Sequence, residues 1–144
     1  MTHEDSGHYA AKHPHESIDP AIADAIRAQA DQGRISCTAA HAIAAAQACP
    51  PRTVGVNIDL LEYRINHCQL GLFGHGEHKG KAVKKSTSVA PDLEKTIRDS
   101  LQNDRITCEA AWDVADRFGI PRMAVADACE ALGIKVSTCQ LGAF

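Results

Sequence analysis

Aromatic side chains are nearly missing from this chain: one Trp, two Tyr and three Phe in 144 residues. A core without large rings must be filled by small aliphatic groups, and abundant alanine favours close helix–helix packing. No apolar run reaches the length that spans a bilayer, so no membrane association is expected. Residues 1–17 hold no apolar stretch of the export type, which points to a cytoplasmic protein with reduced cysteines rather than a disulfide framework. Catalytic signatures are equally scarce. There is no glycine-rich phosphate loop, no Ser, His and Asp set suggesting a triad, and no carboxylate pair in an evident cleft. An enzyme is therefore not the expected class. No Cys-x-x-Cys pair of the kind most small zinc and cluster modules use occurs either.

What the chain does contain is itself, twice. Pro20 to Phe73 aligns without a gap on Pro91 to Phe144. Ile26-Arg27 matches Ile97-Arg98, and Arg34-Ile35-Ser36-Cys37 matches Arg105-Ile106-Thr107-Cys108. Cys68-Gln69-Leu70-Gly71 matches Cys139-Gln140-Leu141-Gly142. Such self-similarity marks two copies of one folding unit. It divides the chain into a polar, His-containing tail (1–19) expected to be disordered, repeat unit one (20–73), a basic flexible linker (74–90) and repeat unit two (91–144). Each copy is close to the lower size limit for independent folding, so the copies are expected to pack as a pseudo-twofold pair or on a partner.

Each copy has the same grammar. A first helix follows the proline (Ala21 to Asp31; Asp92 to Gln102), then a short strand (Arg34-Ile35-Ser36; Arg105-Ile106-Thr107). Ser36 and Thr107 are natural N-caps for a second helix that starts at Cys37 and Cys108. Pro50 and Pro121 open a third helix, which runs to about Leu61 and Leu132. An alternating segment closes each copy (Tyr63 to Cys68; Ile134 to Cys139).

This order, with Val114 and Ala115 in the second helix, Phe118-Gly119-Ile120 at the turn, and Val125 and Ala128 in the third helix, resembles the helix-turn-helix group as a reduced winged helix. Copy one keeps Ile43, Ala44 and Val54 but has Ala48 where copy two has the turn glycine. The implied fold is mainly α: two tandem three-helix units with short β segments. The implied function is a regulator or adaptor whose exposed third helices bind protein or DNA. Arg52, Thr53, Asn57 and Arg122 would make such contacts, with Lys79, Lys81, Lys84 and Lys85 of the linker adding positive charge. Copy two, with nine acidic and six basic residues, is poorly matched to a phosphate backbone.

Cys37, Cys68, Cys108 and Cys139 are the repeated thiols. Three readings compete for them: small buried core residues, a metal site, or a thiol redox switch. As a metal site they would offer four thiolates across a pseudo-twofold, suited to zinc or an iron–sulfur cluster. A metal-binding accessory protein is accordingly the alternative function. Cys49 and Cys129 have no counterparts and are expected to be buried hydrophobes. In the Cys-Gln-Leu-Gly endings, the leucines and the phenylalanines Phe73 and Phe144 are expected to close the core, with glycine making a turn.

Overall fold

A computed structural model describes residues 7–74 and 82–144. The chain is mainly helical, with six α-helices and four three-residue strands among the described residues. The elements are α1 (Pro20–Gln29), β1 (Arg34–Ser36), α2 (Cys37–Ala46), α3 (Pro51–Leu60) and β2 (Arg64–Asn66), then α4 (Pro91–Asp99), β3 (Arg105–Thr107), α5 (Cys108–Phe118), α6 (Arg122–Leu132) and β4 (Lys135–Ser137). Thus the order helix, strand, helix, helix, strand occurs twice. β1 pairs with β2 in parallel, Ile35 opposite Ile65, and β3 pairs with β4 in parallel, Ile106 opposite Val136. A parallel pair needs a long crossover, and a two-helix hairpin supplies it in each case.

Local chemistry sets the element starts. The Asp19 carboxylate accepts from the backbone N–H groups of Ala21 at 2.9 Å and Ile22 at 3.2 Å, and Pro20 follows at the first helical position. Ser36 Oγ accepts from Ala39 N–H at 3.0 Å, and Thr107 Oγ1 accepts from Ala110 N–H at 3.1 Å. The same cap therefore opens α2 and α5. At the ends of α5 and α6, Gly119 and Gly133 take left-handed φ values of 62° and 70°. Copy one makes the first of these turns with Ala48 at φ 52°, a conformation that strains a residue bearing a Cβ.

By contact the chain forms two compact units. One takes the residues up to Cys68 together with Gln140–Phe144; the other takes Gln69–Cys139. The units of contact thus differ from the units of repeat in the placing of each Gln-Leu-Gly tail. In the first unit, Ile22, Ile26, Ile35, Ala40, Ile43, Val54, Ile58 and Ile65 form the core, and Leu141 and Ala143 of the C-terminal tail are buried. Gly55 of α3 admits that tail: a Cβ there would run into the Leu141 carbonyl, 2.7 Å from its carbon. The second unit buries Ile97, Ile106, Ala111, Val114, Ala115, Val125 and Ala128, together with Leu70. Gly71 lies against the Met123 side chain, which would sit 3.1 Å from an added Cβ. Both tail glycines turn as expected, at φ 76° and 80°. Phe144 does not close a core; it is 48 % exposed, whereas Leu141 and Ala143 are buried.

The amino-terminal tail is described from Gly7 onward. It has a 3-10 turn at Tyr9–Lys12 and a Tyr9 that is 1 % exposed. Burial of one large ring and several hydrogen bonds to α3 offset the entropy of ordering a polar segment.

Candidate functional site

Three of the expected contact residues, Arg52, Thr53 and Asn57, lie on α3, and the amino-terminal arm packs on that helix. Glu62, just past the end of α3, accepts the backbone N–H groups of Tyr9 at 2.6 Å and Ala10 at 2.9 Å, capping the 3-10 turn. Asp59 Oδ2 lies 2.7 Å from His13 Nε2 and 3.2 Å from Lys12 Nζ. The Asp59 side chain is 3 % exposed, so this pairing operates largely out of water, and its Oδ1 is buried without a hydrogen-bond partner. Asn57 Oδ1 accepts from Asp19 N–H at 2.8 Å while its amide donates to the Thr53 carbonyl at 2.9 Å. Three polar side chains on and after one helix thereby hold thirteen residues of chain, Gly7 to Asp19, through their backbone and basic groups.

A related contact occurs on α6. Asp127 Oδ1 accepts from Lys84 N–H at 2.8 Å, and the Asp127 carbonyl accepts from Ser86 N–H at 3.2 Å. In both units the third helix therefore holds the segment that precedes the first helix.

These contacts decide the fate of the expected contact residues. Asn57 is 3 % exposed and cannot meet a partner while the arm is in place, because its amide already joins Asp19 to α3. Thr53 is half-buried, with its N–H donating to the Pro50 carbonyl at 3.0 Å. Arg122 is half-buried, its guanidinium 3.5 Å from the centroid of the Trp112 ring and its Nη1 donating to Gln69 Oε1 at 3.1 Å. Arg52, Lys84 and Lys85 are exposed, whereas Lys79 and Lys81 lie outside the described residues. On α3, Arg52 alone is exposed.

The outer face of α5 is acidic, with Glu109, Asp113 and Asp116 exposed at the spacing of one helix stripe. An open depression of about 450 Å³ lies beside α4, but its lining charges are paired, Glu94 with Arg98 and Lys95 with Asp99, each at 2.9 Å.

All six cysteines are thiols. Cys37 and Cys68 fall in the first unit, Cys108 and Cys139 in the second. Among the described residues no group of three or more His, Cys, Asp or Glu side chains is arranged to hold a metal ion. Cys129 is a buried hydrophobe as expected, 1 % exposed, whereas Cys49 is half-buried. Burial pushes the Cys129 thiol up to about 11.

Sequence reasoning passed over Asp59 and Glu62. One signal for Glu62 was available: copy two has Gly133 at the matching position, and Glu62 takes the same left-handed turn, at φ 60°. No family model, curated protein or solved structure matches the chain. No helix among the described residues is long and apolar enough to cross a membrane.

Proposed function

We propose that the protein is a non-enzymatic regulator or adaptor, built from two helix-turn-helix-like units that arose by duplication, and that it acts by binding protein rather than DNA. The observation that carries this reading is the chemistry of α3, whose polar groups take hold of a peptide segment. Glu62 accepts peptide N–H groups, and Asp59 faces an imidazole and an ammonium. Carboxylates at these places favour a peptide carrying basic side chains and repel phosphates. The acidic stripe Glu109, Asp113 and Asp116 on α5 disfavours a nucleic-acid backbone in the same way. On this reading the arm is a resident occupant of the α3 face, and a basic partner segment competes with it.

Two measurements test the proposal together. Glu62→Gly removes the arm's cap and suits the left-handed backbone, so the fold should survive and capture of the partner from host extract should rise severalfold. Binding to random duplex DNA, followed by anisotropy across a salt series, should be weak, salt-sensitive and further reduced by Arg52→Ala. Tight duplex binding that persists at high salt and in Arg52→Ala would overturn the protein-binding reading.

A further inference from the structure

We propose that Cys108 and Cys139 are a dithiol that closes to an intramolecular disulfide when it meets a low-molecular-weight disulfide oxidant. The inference is independent of the protein-binding reading and rests on backbone geometry.

Cys108 is the first residue of α5, directly after β3. β4 runs parallel to β3 with Ser137 opposite Thr107. Thr138 then takes φ 54°, a left-handed conformation that is rare for a β-branched residue. This bend turns the Thr138 carbonyl to the start of α5, where it accepts the Cys108 N–H at 3.3 Å. Cys139 is bonded to that carbonyl. Standard peptide dimensions then bring the Cα atoms of Cys108 and Cys139 within about 7.5 Å of each other for a fully straightened path, and any bend at the hydrogen bond shortens this. Disulfides span Cα separations of about 4.4–6.8 Å, a range that a modest bend in this path reaches, and side-chain rotation then joins the sulfurs.

Exposure assigns the roles. Cys139 is half-buried and reachable, whereas Cys108 is 5 % exposed. The Cys139 thiolate attacks one sulfur of the oxidant, forms a mixed disulfide and releases one thiolate. The Cys108 thiolate then attacks Cys139 Sγ and releases the second. Two protein thiols are oxidised, one small disulfide is reduced to two thiols, and the two protons pass to the released thiolates. The bridge would covalently tie the start of α5 to the end of β4, enclosing the α5–α6 hairpin.

The first unit has the same arrangement of chain. Cys37 opens α2 after β1, Ser36 lies opposite Asn66, and His67 bends at φ 47° before Cys68. There both cysteines are buried, at 6 % and 5 % exposure, so this pair should close more slowly. Cys129, with its thiol held protonated by burial, stays out of the exchange at neutral pH.

The test uses the reduced full-length chain incubated with excess glutathione disulfide at neutral pH, quenched in acid, alkylated and peptide-mapped. The expected product is a peptide carrying Cys108 linked to Cys139, formed before any Cys37–Cys68 link. In Cys108→Ser, Cys139 should accumulate as the glutathione mixed disulfide, at least about tenfold above wild type. Equal glutathione adduct at Cys139 in both proteins, an unmodified wild-type Cys139, or a Cys139 linked to any other cysteine would each overturn the proposal. So would closure of Cys37–Cys68 first, because both of those thiols are more buried than Cys139.

Discussion

Glu62 is strained by its backbone and kept useful by its side chain. At φ 60° a residue with a Cβ costs about 1 kcal/mol relative to glycine, yet its carboxylate holds two N–H groups of the arm. Neither property can be read from a lone glutamate near a helix end. Only the glycine at the matched position of copy two hinted that the backbone there is unusual. Asp59 was hidden for a different reason: an acidic residue late in a helix ordinarily faces water, and here the ordered arm buries it. Cys129 carries a prediction in pH. Its folded value of about 11 lies above the ordinary thiol value of 9.0, so over that range the unfolded chain loses its proton first. Stability is therefore unaffected below about pH 9 and falls as pH rises towards 11, by up to about 2–3 kcal/mol. Denaturant midpoints measured from pH 8 to 11 should show this decline, and Cys129→Ala should flatten it.

At the scale of elements, what local chemistry controls was legible. Strands β1 and β3 fall at the short strands expected after the first helices, and Ser36 and Thr107 cap α2 and α5. The first helices end early, at Gln29 and Asp99, because the next residues turn into the strands, with Asp31 and Gln102 bridging to Arg34 and Arg105. The role of Gly55 was not legible. It sits inside α3, where glycine is unfavourable, and copy two has Ala126 at the matching place. Its reason is the Leu141 backbone, which approaches too closely for any side chain. Gly55→Ala should raise helix propensity and still destabilise the first unit by roughly 2–4 kcal/mol, since the obstructing atom is backbone and cannot rotate away. Thermal unfolding checks this, and the same exchange reversed in copy two, Ala126→Gly, should cost only about 1 kcal/mol.

For the molecule as a whole, each compact unit includes a tail from the far end of the other repeat. Deleting Gln140–Phe144 should therefore weaken the unit built on α1 to α3, although the cut lies next to β4. Losing buried Leu141 and Ala143 should cost that unit roughly 3 kcal/mol. Hydrogen exchange should show protection falling in residues 20–68 and holding in 91–139. The opposite pattern would mean that the tail belongs with its own repeat.

The repeat, the helices with their caps, the short strands and the scarcity of catalytic groups follow from the sequence alone, because each depends on neighbours a few residues apart or on comparing one copy with the other. The folded arm over α3, the burial of Asn57 and Asp59, the placing of the Gln-Leu-Gly tails and the bond from Cys108 N–H to the Thr138 carbonyl were settled only by tertiary structure. Those contacts join residues far apart in the chain. Which of them form depends on the space left between packed helices, and no local pattern of side chains records that space.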